Sequence, residues 1–222
     1  MSKHLQHDID LLKQKLMAMC SLVEKMLGKA VNSILESDES LAQEVLHQDA
    51  EVDEIEVDIE EECLKILALY QPVAIDLRFI IAAMKINSDL ERVGDLAVNI
   101  AERAVFLISQ EDVSFPFDFK NMSQKVESML SRSIEALVNL NASLACRIRS
   151  EDEIVDAMNR EIYSTVKEEV KKNPETINYL LHALSIGRHL ERVADHATNI
   201  AEDVIYLVEA RIVRHMPEVF EE

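Results

Sequence analysis

Leu90–Glu102 reads LERVGDLAVNIAE, and Leu190–Glu202 reads LERVADHATNIAE. Ten of these 13 positions are identical, at an offset of 100 residues. In both copies the apolar residues fall at helical spacing: Val93, Ala97, Ile100 and Ala104 share one face of the first. Glu91 and Asp95 lie one turn apart on the opposite face, since residues four apart are neighbours on a helix surface. Upstream, Asp49-Ala-Glu-Val-Asp53 matches Asp152-Glu-Ile-Val-Asp156 at an offset of 103. Pro72 and Pro174 stand in corresponding turns. The order helix, DxxxD helix, proline turn, ExxxD helix therefore occurs twice, the mark of an internal structural repeat.

Working outward, Leu5, Ile9, Leu12, Leu16, Met19, Val23, Met26 and Ala30 alternate spacings of four and three. That is the seam of a long amphipathic helix in a bundle. Ser37-Asp38-Glu39-Ser40 interrupts it with capping residues. A second seam runs through Leu41, Val45, Val52, Ile55, Ile59, Cys63 and Ile66 and ends at Gln71-Pro72. A third helix extends from about Ala74 to Ser109. Glu111 to Asp118, with Ser114-Phe115-Pro116-Phe117, loses the periodicity and reads as a linker. Helices resume near Phe119, with a turn near Asn139-Leu140-Asn141, a stop at Asn173-Pro174 and a last helix to about Glu209. The expectation is an all-α chain of six long helices in two tandem three-helix bundles, residues 1–110 and 119–210, joined by the linker 111–118 and followed by a tail, 211–222.

The bulk numbers agree. Of 222 residues, 48% are hydrophobic and 29% charged, a globular composition, and only 3 Gly and 4 Pro interrupt it. No apolar run reaches the roughly 20 residues that span a bilayer, so no membrane insertion is expected and the location reads as cytoplasmic. A net charge of −19 repels nucleic acid and excludes it as a partner. Cys20, Cys63 and Cys146 form no CxxC and read as small core residues in a reducing compartment.

Carboxylates are the candidate chemistry. Glu91 and Asp95, extended by Asn99 and Glu102, form one stripe; Asp49, Asp53, Glu56 and Glu60 form another on the preceding helix. The second half repeats it with Asp152, Asp156, Glu191 and Asp195, followed by Asn199. Like charges at this spacing repel, and a multivalent cation would reverse the sign; all-oxygen donors favour Mg²⁺, Ca²⁺, Mn²⁺ or iron. A solvated charged face has the same spacing, so both readings stand. Arg92 and Arg192 read as ion-pair partners. His182, His189 and His196, seven apart, border the apolar seam and read as interior or inter-bundle residues. Glu44-Val-Leu-His47 is an ExxH, but its second-half counterparts are Arg147 and Ser150, so no paired di-iron site is expected. Neither a glycine-rich phosphate loop nor a nucleophile elbow occurs, which leaves nothing to support an enzyme.

The doubled DxxxD…ERVxDxAxNIAE pattern, with Gln71-Pro72 and Asp76-Leu77-Arg78, resembles the PhoU family of phosphate-specific transport accessory proteins. The resemblance spans about Leu5 to Leu207. It implies a homodimer that regulates phosphate uptake and represses the phosphate-starvation response. It also implies a place between the ATPase of the phosphate ABC transporter and a sensor histidine kinase. At Asp49, Asp53, Glu91, Asp95, Asp152, Asp156, Glu191 and Asp195 it implies multinuclear iron or another divalent metal. A metal-storage bundle and a purely structural scaffold remain alternatives. Glu56 gives way to Asn159 and Glu60 to Tyr163, so two metal sites would differ.

Overall fold

The computed structural model describes residues 3–110 and 115–214. They form α1 (Lys3–Leu35), α2 (Glu39–Tyr70), α3 (Ala74–Ile108), α4 (Phe119–Val138), α5 (Ala142–Arg149), α6 (Asp152–Lys172) and α7 (Ile177–Glu209). A 3₁₀ turn at Pro174–Thr176 leads into α7. Helices α1, α2 and α3 pack on one another, and α4, α5 and α6 pack on α7. The two bundles meet chiefly along α3 and α7, with a smaller contact between α1 and α4.

Local signals place the helix ends. Asp38 caps α2, its side chain accepting from the Ser40 N–H at 2.9 Å. Asp118 and Asn141 cap α4 and α5 in the same way, accepting from the Asn121 and Leu144 amides. Such a cap satisfies one of the backbone donors that a helix start leaves unpaired. Every residue of the expected α1 seam is buried. In α2 Leu41 is only half-buried and its neighbour Ala42 takes the core position.

Two expectations need correction. The second helix of the second bundle is not continuous: a turn at Ser150–Glu151 divides it into α5 and α6. Glu151 is held there by Arg132 Nη1 at 2.7 and 2.9 Å, and the Ser150 hydroxyl turns back to the Arg147 carbonyl. Cys146 is exposed, on the outer side of α5, whereas Cys20 and Cys63 are buried. In the tail, Val213 is buried and its carbonyl accepts from Arg149 Nη2. Of the linker and tail, residues 111–114 and 215–222 lie outside the described residues. The described part of the linker forms an aromatic knot, with Phe115 stacked on Phe119 and edge-on to Phe117.

Two glycines make the packing testable. A Cβ at Gly187 would stand 3.0 Å from Cδ1 of the buried Ile162, so that side chain must give way by a few tenths of an ångström for a methyl to fit between α7 and α6. At Gly28 the nearest atom would be 3.6 Å away, an ordinary contact. Gly28→Ala should therefore gain about 0.5–1 kcal/mol from helix propensity. Gly187→Ala should lose about 1 kcal/mol net to overpacking. Chemical denaturation of the two variants beside wild type measures both signs.

Candidate functional site

The eight predicted carboxylates gather as two clusters, one on each bundle. In the first, Asp49 and Glu91 are half-buried while Asp53 is exposed. Burial and then the charges of Asp53 and Asp95 raise the Asp49 carboxyl above the usual range. Burial and then Asp95 raise Glu91; Glu56 and Asp53 add to it and Arg92 opposes it. Glu56 from the same stripe is raised by burial and by Glu60 and Asp53. Arg92 spans the cluster, with Nη1 3.0 Å from Asp95 Oδ2 and Nε 3.3 Å from Glu91 Oε2. It is the ion-pair partner the sequence suggested.

In the second cluster the crowding is stronger. Asp195 is pushed up to about 6, first by burial around its carboxyl and then by Asp152, Glu191 and Asp156; His196 works against the rise. Asp152 is raised by burial although the Thr198 hydroxyl donates to it at 3.2 Å. Glu191 is raised by burial and by Asp156. Asp156 stands 3.9 Å from Arg160 Nη1. Asp195 faces solvent on one side, so its neighbours and the protein around it, not full enclosure, hold the proton.

Asn99 and Asn199 part company. Asn99 donates to the backbone carbonyl of Asp95 on its own helix at 2.7 Å. Asn199 donates across the bundle interface to Asp89 Oδ1 at 3.1 Å, where His196 Nδ1 also bonds at 2.7 Å. The three histidines are inter-bundle or interior residues, as their spacing suggested: His182 stacks on Phe106 of α3, and burial pushes His189 down to about 4. Glu44 of the ExxH pairs with Lys29 at 2.9 Å.

Chemically, each cluster is a set of hard oxygen donors with too little positive charge nearby. Among the described residues, no group of three or more His, Cys, Asp or Glu side chains is placed to hold a metal ion. The donor type nevertheless suits a hard or borderline cation. The residues that sequence reasoning missed are Lys85, Asp89 and Asp203, which join α3 to α7. Lys85 Nζ lies 2.9 Å from the buried Asp203 Oδ1. The available signal was Asp203 itself, standing where the first repeat has Arg103.

The raised carboxyl of Asp195 sets a pH dependence. The folded state binds this proton more tightly than the unfolded chain. Stability from it is therefore full below about 3.8 and is lost as pH rises to about 6. With chelator present, Asp195→Asn should melt at a higher temperature than wild type at pH 7.5. Between pH 4 and 6 its stability should change less steeply. Thermal melts across that range check the sign.

Comparison with known proteins accounts for this doubled arrangement. A family model described as the PhoU domain matches residues 16–104 and again residues 119–204. The phosphate-specific transport system accessory protein PhoU homolog of Pseudomonas aeruginosa is 36% identical over 219 residues, covering 97% of this chain and 89% of that protein. PhoU homolog 1 of Thermotoga maritima is 36% identical over 206 residues, covering 92% and 88%. The crystal structure of PhoU from Pseudomonas aeruginosa superposes with a TM-score of 0.89 at 35% identity, covering 93% of this chain and 99% of that one. That of the phosphate transport system regulatory protein PhoU from Streptococcus pneumoniae gives 0.82 at 29% identity, covering 94% and 99%. The family model takes in both repeats, and the relatives match almost the whole chain, so the chain belongs to the PhoU family.

Proposed function

We propose that this chain regulates phosphate uptake, as a non-enzymatic accessory protein of a phosphate transport system. The observation that carries the reading is the match over nearly the full length to relatives named for that system, with both repeats included. The all-helical fold is consistent with that role, since its helices present surfaces and charge clusters to a partner. Among the described residues no helix is long and apolar enough to cross a membrane. The protein works in the cytoplasm as a homodimer. It meets the transporter's ATPase on one side and a sensor histidine kinase on the other, and it represses the starvation response while phosphate is plentiful.

The crowded carboxylates favour a second element of this reading. On this reading Asp49, Asp53, Glu91 and Asp95 would be drawn together around one cation and Asp152, Asp156, Glu191 and Asp195 around another, as multinuclear iron or another divalent metal. When bound, the metal supplies the positive charge that each cluster lacks. Loss of Glu56 and Glu60 to Asn159 and Tyr163 makes the second site the poorer in donors.

Deleting the gene should raise alkaline phosphatase expression severalfold in phosphate-rich medium, and the wild-type gene should restore repression. Unchanged expression in the deletion strain rejects the regulatory role. Elemental analysis of protein purified without chelator or metal-affinity tag should find stoichiometric metal that an Asp95→Ala, Asp195→Ala double variant loses. Equal metal in both, or none after reconstitution, rejects the cation sites.

A further inference from the structure

One cavity has none of the acidic-cluster residues in its lining. It is a groove of about 600 Å³ at the end of the molecule where α1 and α3 begin and α4 and α7 end. Its lining is almost wholly apolar, including Ile9, Ile75, Phe79, Leu137, Leu140 and Val208 from both bundles. Several large apolar side chains stand open around it: Ile75 is 60% exposed, Val138 58%, Leu140 55% and Val208 41%. Large exposed apolar patches of this kind mark contact surfaces.

The backbone at this end is also costly. Among the described residues five non-glycine residues have positive φ, and four lie here: Gln71, Leu140 and Ala210 where α2, α4 and α7 close, and Ala74 where α3 opens. Left-handed backbone is unfavourable for residues with a Cβ, and strain of this kind collects at functional sites. Leu140 has φ 48° and is exposed, so neither backbone preference nor core packing accounts for a leucine at that position.

Charge selects the occupant. Two charged residues line the groove, Lys13 and Asp76. Lys13 is engaged, its ammonium 5.4 Å from the Phe79 ring centroid and 3.9 Å from Asp10. Among the described residues no cation pairs with Asp76 at the mouth. The whole chain carries −19, which draws in cations from a distance. An apolar trough with an open carboxylate at its rim fits a helix that has an apolar stripe and basic flanks.

We propose that this groove receives the apolar face of a basic amphipathic α-helix from a partner protein, with a Lys or Arg of that helix at Asp76. The inference rests on the adaptor reading only in taking the partner to be a protein. The partner's leucine-sized side chains fill the trough between Leu137, Leu140 and Phe79. The left-handed turn at Leu140 keeps that side chain on the rim instead of in the core.

The test uses the full chain and two fluorescein-labelled 18-residue helical peptides with one leucine pattern, one flanked by lysines and one by glutamates. The lysine peptide should bind, seen by anisotropy, at least tenfold more tightly than the glutamate peptide. It should also shift the methyl resonances of Ile75, Leu137 and Val208 but not those of Val57 and Leu64 on the acidic α2. Leu140→Asn should weaken binding at least fivefold while raising the melting temperature by about 2 °C, because Asn tolerates left-handed backbone. Asp76→Asn should weaken it about threefold. Shifts confined to Val57 and Leu64, equal binding of both peptides, or unaltered binding to Leu140→Asn each overturn the proposal. A wild-type dimer that Leu140→Asn makes monomeric, with no peptide bound, assigns the groove to a second copy and overturns it too. In cells, a derepressed deletion strain fully restored by Leu140→Asn refutes the groove while leaving the regulatory role intact; a deletion strain that is never derepressed refutes the role and leaves the peptide result standing.

Discussion

Burial of α3 against α7 joins the two bundles, and it constrains both helices on two sides. α3 must cover α1 and α2 of its own bundle while also meeting α7, and α7 does the same for α4, α5 and α6. Close approach on several faces needs small side chains, and the repeat supplies them: Ala97, Ala101, Ala104, Ala194, Ala197 and Ala201 are all buried. The consequence reaches the candidate site. A helix buried on two faces keeps only a narrow polar sector, and Glu91, Asp95 and Asn99 occupy it on α3. The neighbouring helix α2 turns Asp49 and Asp53 toward the same sector, as the charge coupling of Asp49 to Asp95 shows. The crowding of the carboxylates thus follows from the packing that makes α3 and α7 central.

The sequence repeat makes the two halves alike, yet the seam between them is not symmetric. Lys85 bonds Asp203 across it, while the repeat mates of this pair are Ser185 and Arg103. Asp89 bonds His196, while their mates are His189 and Leu96. Phe106 stacks on His182, while their mates are Tyr206 and Ala82. One end of the seam therefore carries the Lys85–Asp203 ion pair and the Asp89–His196 hydrogen bond, and the other the Phe106–His182 stack. Charge is uneven outside the seam as well. Lys65 is the one lysine or arginine in the strongly acidic α2, whereas α6 mixes Arg160, Lys167, Lys171 and Lys172 with its acids. Duplication supplied the architecture, and divergence gave the halves different surfaces.

What the sequence revealed follows the range of each signal. The α1 seam was legible because eight apolar residues at regular spacing leave one face to bury, and all eight are buried. The acidic clusters were legible because i,i+4 spacing and the repeat are both written along the chain. The break at Ser150–Glu151 was not, since it depends on Arg132, 19 residues away, gripping Glu151. Cys146 was misplaced because its apolar neighbours Leu144, Ala145 and Ile148 supply the buried face of so short a helix. The turn of Asn199 toward Asp89 joins residues 110 positions apart. Local periodicity carries no information about that kind of pairing.

The polar groups in the seam are better understood as specifying alignment than as adding stability. Asp203 is buried, its Oδ2 has no hydrogen-bond partner among the described residues, and burial raises its carboxyl despite Lys85. A buried carboxylate only half satisfied costs free energy, and an apolar pair of similar shape would commonly do as well or better. A seam rich in alanine has the opposite weakness: its small, similar side chains would pack almost as well after a slip of one turn. Lys85–Asp203 and Asp89–His196 at one end, with Phe106–His182 at the other, are satisfied in one register only. They fix how the two bundles face each other, and so where the acidic clusters and the ends of the four helices around the apolar groove come to lie.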